Sequence, residues 1–177
     1  NFFPRANLNL TMKKNRNLGV YYNGNTQQPT IQQLQPIADN NDPLNILIGN
    51  PDLKVAVNHQ LGIYMGAYNF LSESGLWANF TVSATQDGFS TRDFIDSLGR
   101  RFSQTVNVNG IYNMRSYFDY NFKIKKTGFS GGAGLEMNYG QFVNFINSQE
   151  NKVRNGSLLL RARMGYFKEK KFNVGFS

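Results

Sequence analysis

The chain has no cysteine and a single histidine, His59. Disulfides, thiolate catalysis, cysteine-held zinc and iron–sulfur clusters are thereby excluded. A Ser-His-Asp relay would have to run through His59, and a histidine metal site lacks further imidazoles. Proline is scarce, with 5 residues, and Asp plus Glu number only 11 against 19 Lys plus Arg. Charged residues make up 17% of the chain, below the usual quarter. Mean hydropathy is −0.46, and no apolar run approaches the eighteen residues that a membrane-crossing helix needs. The opening Asn1-Phe2-Phe3-Pro4 shows no leader pattern.

Other residues are plentiful. Asparagine occurs 24 times and glycine 17 times, and aromatics reach 14%: 15 Phe, 9 Tyr and 1 Trp. Low charge with many aromatics excludes disorder, which needs the reverse. The length of 177 residues suits one domain or a piece of one. Both ends read as cut, so a segment of a longer protein is expected.

The dominant pattern is alternation of apolar and polar residues, the signature of a strand. In residues 5–13, Ala6, Leu8, Leu10 and Met12 take one face and Arg5, Asn7, Asn9 and Thr11 the other. Similar runs follow near 17–25, at 56–69, 76–86, 105–125, 129–145, 157–167 and from 172, making eight strands. The run at 105–125 is the longest, with Val106, Val108, Tyr112, Met114, Phe118, Tyr120 and Phe122 opposite Asn107, Asn113, Arg115, Asp119 and Asn121. Short connections at 13–17, 70–75, 125–128 and 168–171 alternate with long ones at 27–54, 87–101 and 147–155. Antiparallel neighbours then place tight turns at one end and long loops at the other.

Three features decide which face meets what. The runs exceed the five or six residues of soluble strands and suit the nine to eleven of membrane strands. The polar faces carry Asn, Ser, Thr, Gly and a few Arg rather than the Lys and Glu of a solvated sheet, and asparagine suits a wet lumen. The alternation of short and long connections is that of outer-membrane barrels. Aromatics near strand ends (Phe70, Trp77, Phe122, Phe129, Tyr166, Phe167 and Phe172) suit an interfacial girdle. The expected fold is all-β: an antiparallel up-and-down transmembrane β-barrel, with about eight strands of a larger barrel in this chain.

The net charge of +8 raises the question of nucleic acid. The basic residues gather at the short turns: Lys13, Lys14 and Arg16; Lys123, Lys125 and Lys126; Lys168, Lys170 and Lys171. The aromatics share parity with the aliphatics, so they are not interleaved with the cations as a nucleic-acid platform requires. No nucleic-acid partner is expected.

Two stretches carry a family likeness. Asn1-Phe2-Phe3-Pro4-Arg5-Ala6 opens a strand, and Thr26-Gln27-Gln28-Pro29-Thr30-Ile31-Gln32-Gln33-Leu34-Gln35-Pro36 follows the second. Asn40-Asn41-Asp42-Pro43-Leu44-Asn45-Ile46 and Gly49-Asn50-Pro51-Asp52-Leu53-Lys54 come next, and Val106-Asn107-Val108-Asn109-Gly110 later. This succession resembles the barrel region of TonB-dependent outer-membrane receptors, in the outer-membrane β-barrel family common in Bacteroidetes. The resemblance spans residues 1–177. It implies a segment of a single barrel domain, with the plug, the TonB-contacting box and the remaining strands outside this chain. It also implies location in the bacterial outer membrane and import of a bulky nutrient such as a metal chelate, glycan or peptide. The implied partners are outer-membrane lipid, the plug domain, the TonB complex and a surface lipoprotein. Two alternatives stand beside it: an outer-membrane barrel serving secretion or surface assembly, and a soluble lipocalin-like ligand-binding barrel.

No catalytic residue, metal or cofactor is expected. His59 sits at an apolar-parity position near a strand end, which suits an interface. Asp39-Asn40-Asn41-Asp42 lacks the glycine and distal glutamate of a calcium loop and reads as an Asx turn. Gly131-Gly132-Ala133-Gly134 lies within a strand with no Gly-Lys-Ser/Thr after it, so its glycines serve packing across the wall. Gly49, Asn50, Pro51 and Leu53 read as a structural loop closing over the barrel. The polar faces of three consecutive strands hold Arg115, Asp119, Glu136, Arg161 and Arg163, the candidate lumen-facing charges. Pairing among them is expected, because buried charges need partners.

Overall fold

The computed structural model describes all residues except 1–3, 14, 40, 41, 169–171 and 177. The opening Asn1-Phe2-Phe3, the Asn40-Asn41 pair and the turn lysines Lys14, Lys170 and Lys171 lie outside the described residues.

Twelve strands and one helical turn are described. They are β1 Arg5–Lys13, β2 Arg16–Gln27, α1 Ile31–Leu34, β3 Ala38–Asp39, β4 Asn45–Ile48, β5 Ala56–Asn69 and β6 Ser74–Gln86. After them come β7 Gly88–Ile95, β8 Arg101–Val108, β9 Ile111–Ile124, β10 Phe129–Ile146, β11 Gln149–Lys168 and β12 Phe172–Phe176. Eight of these form one antiparallel meander in the order β1-β2-β5-β6-β9-β10-β11-β12. They coincide with the eight alternating runs of the sequence. The sheet does not close on itself: among the described residues β1 pairs only with β2, and β12 only with β11.

The other four strands correct the expectation of plain long loops. The 27–54 connection holds α1, β3 and β4, and the connection after β6 holds the hairpin β7-β8. These strands form a second sheet region, β7-β8-β4-β3, continuous with the meander in one twelve-stranded sheet: β4 pairs parallel with β8, and β7 pairs parallel with β10 at Phe145↔Arg92 and Ile146↔Asp93. The topology is therefore up-and-down in the meander only. The run at 105–125 is two strands, broken at Asn109-Gly110, where Gly110 has φ +88°. The 147–155 connection is a two-residue turn, with Asn147 and Ser148 at φ +47° and +65°. Positive φ at both positions is what a tight hairpin demands. The strands it joins pair continuously from Ile146↔Gln149 to Phe129↔Tyr166.

The sheet sorts its residues by parity. The apolar face of the meander is exposed along its length: Leu8, Leu10, Met12, Leu61, Ile63, Phe80, Met114, Phe118, Met137, Leu158, Leu160 and Met164. A continuous apolar face of this extent is untenable in water and is what hydrocarbon requires. Aromatic rings bound it at both ends. Tyr22, His59, Tyr112 and Tyr139 lie toward the long connections, and Tyr120, Phe122, Phe129 and Tyr166 toward the short turns. On β9, the ten steps from Tyr112 to Phe122 span about 33 Å of strand, or about 25 Å of bilayer at a tilt of roughly 40°. No helix is long and apolar enough to cross a membrane, which says nothing of crossing by strands. Trp77 and Phe167 depart from the expected girdle. Trp77 stands on the polar face opposite Gly66 and Asp119, and Phe167 shares that face, beneath the Lys123 ammonium.

The buried apolar core lies outside this band. Val106 and Val108 of β8 pack on Val143 of β10, with Ile111 and Phe145 alongside. The Ser90 hydroxyl donates to the Val143 carbonyl, tying β7 to the tall hairpin. β11 has 20 residues, about 65 Å of strand, so its first half stands clear of about 30 Å of hydrocarbon, alongside the part of β10 that pairs with β7.

Candidate functional site

The polar face of the meander is a wall whose register puts particular side chains in rows. One row reads Asn9, Gly19, Tyr64, Asn79, Tyr117, Glu136 and Leu159. The row below reads Thr11, Asn17, Gly66, Trp77, Asp119, Gly134 and Arg161. Small and large residues interlock across strands. The Tyr21 ring lies over Gly62 and the Tyr64 ring over Gly19, where an added Cβ would meet ring atoms at 2.2 and 2.1 Å. The Tyr64 hydroxyl donates to Asn9 Oδ1, and the Tyr21 hydroxyl lies 3.4 Å from Thr81 Oγ1.

All five candidate charges stand on this face, and four of them meet in two ion pairs. Arg161 Nη2 donates to Glu136 Oε2 at 2.9 Å across neighbouring strands. Arg163 Nη2 reaches Asp119 Oδ2 at 2.5 Å, spanning the whole of β10. Asp119 is 6% exposed, so a guanidinium partner answers the cost of burying its charge. Arg115 has no carboxylate among the described residues; its Nε donates to Asn138 Oδ1 at 3.0 Å. The crossing over β10 depends on Gly132 and Gly134. A Cβ at Gly132 would lie 3.2 Å from the Arg163 guanidinium, and one at Gly134 would lie 3.1 Å from Asp119 Oδ2.

Above the charges, a recess of about 400 Å³ opens over Gly140, lined by Ser83, Thr85, Asn113, Asn138, Asn155 and Ser157. Amides and hydroxyls make up its polar groups. Sequence reading singled out the charges and passed over this recess, because its residues come from four strands. Parity alone puts them on one face, but only register makes them neighbours.

Gly49, Asn50, Pro51 and Leu53 sit between the two sheets. Gly49 is buried against the backbone of Gln35, where a Cβ would come within 1.8 Å of the carbonyl oxygen. Its own carbonyl accepts from Gln104 Nε2 at 3.2 Å. Asn50 N donates to the Gln33 carbonyl at 2.6 Å, and Asn50 Nδ2 to the Thr105 carbonyl at 3.0 Å. Asn50 Oδ1 accepts from Asp52 N, closing an Asx turn around the exposed Pro51. Leu53 is half-buried. Lys54 N donates to Asn107 Oδ1 at 2.7 Å. The stretches 26–36 and 49–54 quoted for the resemblance thus touch each other, and the latter also touches β8. α1 is a single turn capped by Thr30 and Gln33.

Asp42 is an Asx turn, its carboxylate accepting from Leu44 N and Asn45 Nδ2. Both bonds hold its carboxyl below the ordinary value, the Asn45 side chain foremost. In the second sheet, Asp93 accepts from Arg101 and Ser103 at 2.6 and 2.7 Å. Burial raises the Asp93 carboxyl, but these bonds and the Arg101 charge outweigh it, and the net shift is downward. His59 is on the apolar face, its Nδ1 2.7 Å from the Tyr22 hydroxyl. At the short turns, Lys123 and Lys125 both reach Glu73, at 3.3 and 3.4 Å.

No curated protein matches the chain. The model of the outer membrane protein beta-barrel family matches residues 1–177. With twelve described strands and a lipid-fitted outer face, this chain belongs to the outer membrane protein β-barrel family and resides in the bacterial outer membrane.

Proposed function

We propose that this chain is part of a TonB-dependent receptor that imports a bulky nutrient through a barrel wider than eight strands. The observation carrying this reading is that, among the described residues, β1 and β12 do not pair with each other, so the eight-strand meander stays open and its inner side chains stand exposed. A closed eight-strand barrel has an interior just wide enough for its side chains to fill. Here Trp77, Tyr117 and Leu159 remain 43%, 38% and 48% exposed, and Arg115 and Arg161 also stand open. In hydrocarbon, the free edges of β1 and β12 need partners, because unpaired backbone groups there cost several kcal/mol each. Further strands of the same barrel supply them. In the widest barrels, of about 22 strands, the lumen is plugged, and opening a plugged lumen needs energy from outside the outer membrane. The charges on the wall and the recess over Gly140 supply contacts for a plug or a passing solute. The protein carries no reaction in this reading and needs no cofactor.

The test has two arms. Intact mass in outer-membrane extracts several-fold above 20.1 kDa, with solute uptake abolished on loss of TonB, is expected. A mass near 20.1 kDa, or uptake indifferent to TonB, overturns the proposal in favour of a small closed barrel or a secretion or assembly pore.

A further inference from the structure

On the lipid-facing side, Tyr112 of β9, Gln141 of β10 and Arg154 of β11 form one row. The row lies just beyond Tyr139, toward the long connections. Gln141 is 9% exposed, and both ends of its amide are engaged. Its Nε2 donates to the Gly110 carbonyl at 2.9 Å, and its Oε1 accepts from Arg154 Nε at 2.9 Å. The guanidinium is thus held by its inner nitrogen, and both Nη groups remain without a partner among the described residues. The neighbouring charges on this face are spoken for: Lys152 pairs with Glu150 at 3.3 Å, and the Arg92 guanidinium lies over the Phe145 ring. The Tyr112 and Tyr139 rings lie 6.1 Å apart. Toward the bilayer centre the same face turns fully apolar, with Met137, Leu158 and Leu160 at 38%, 63% and 68% exposed.

We infer that Arg154, with the Tyr112 and Tyr139 hydroxyls, forms a site for the phosphate of an outer-leaflet lipid headgroup, whose acyl chains lie along Leu158 and Leu160. Arg154 merely snorkelling to water would need no fixed partner. A guanidinium clamped at Nε by a buried amide instead presents its two Nη groups as a fork, the arrangement that grips phosphate bidentately. The clamp is neutral, so the cation keeps its charge for the ligand. The site lies at the long-connection end, which in outer-membrane barrels faces the exterior, and it works independently of what crosses the lumen.

The intact protein, purified in non-ionic detergent, is titrated with rough-type lipopolysaccharide, with its enzymatically dephosphorylated form and with inorganic phosphate. Binding of the phosphorylated form at least tenfold tighter than of the dephosphorylated form is expected, with inorganic phosphate a poor competitor. Arg154→Gln abolishes that tenfold preference, Arg154→Lys keeps part of it, and Lys126→Gln at the opposite end leaves it intact. Tyr112→Phe with Tyr139→Phe lowers the preference while leaving the clamp in place, which covers the case in which Arg154→Gln fails to fold. Equal affinity for the two lipid forms, or an unchanged preference in both Arg154→Gln and the double phenylalanine variant, overturns the site. Effective competition by inorganic phosphate alone overturns its assignment to a lipid.

Discussion

Arg163 of β11 clasps Asp119 of β9 at 2.5 Å, passing over the intervening strand where Gly132 and Gly134 leave no side chain in the way. Alternate strands lie about 9.6 Å apart, so only a long guanidinium over a bare strand closes this distance. Asp119→Ala strands a half-buried guanidinium and is expected to cost about 2 kcal/mol, read as a lower urea midpoint in lipid vesicles. Gly134→Val leaves both charges in place but forces the carboxylate aside, and should cost a similar amount. If both variants unfold like the parent, the clasp contributes nothing to the wall.

The Tyr21–Gly62 and Tyr64–Gly19 pairs make a second, uncharged lock. Each ring occupies the space a Cβ would take on the opposite strand. Gly62→Val or Gly19→Val is expected to destabilise the β2–β5 pairing by about 1–3 kcal/mol, visible as early hydrogen exchange in these two strands. The corresponding change at Gly156, where the nearest side-chain atom lies at 3.4 Å, should be far milder.

The tip of the tall hairpin holds Asn147 and Ser148 in the left-handed region. Ser148→Gly relieves that strain and should stabilise the hairpin by about 0.5–1 kcal/mol. Asn147→Val should do the opposite and open the tip to protease. Equal cleavage rates in both variants would show that the turn is not strained.

The second sheet should be sensitive to acid. The Asp93 carboxyl titrates below its ordinary value of 3.8 in the folded protein. A depressed folded value means that its contribution is complete above the unfolded value and is lost as pH falls through the folded one. Below about pH 4, β7 and β8 should therefore loosen while the membrane strands persist, with protease cleavage in 87–110 as the readout. Asp93→Asn should be loosened already at neutral pH and change less over that range, the remaining change coming from Asp96, whose carboxyl desolvation raises but the Arg100 bonds also hold below its ordinary value.

Much of this was legible from alternation. Parity alone located the eight meander strands and put Arg115, Asp119, Glu136, Arg161 and Arg163 on one face. It also implied that Trp77, an odd residue on β6, faces the polar side, although a position near a strand end suggested the girdle. The break at Asn109-Gly110 is invisible to parity, because Val106, Val108 and Tyr112 keep the same phase across it; only the Asn-Gly pair signals a turn. β11 was read too short because its first half stands beyond the membrane, where the polar 149–152 segment hides the strand. The choice of Arg163 rather than Arg161 for Asp119 depends on register and on the bare glycines of β10, which no local pattern encodes.

The central claim is that the apolar face meets lipid and the Asn-rich face meets the lumen. Trp77 is the chain's one tryptophan and stands on the inner face, while Phe80 of the same strand stands on the outer face. Brominated phospholipids quench only fluorophores that touch the acyl chains. The account predicts weak quenching of Trp77 and strong quenching of a tryptophan placed by Phe80→Trp in a Trp77→Phe background. Strong quenching of Trp77 with none at position 80 would contradict it.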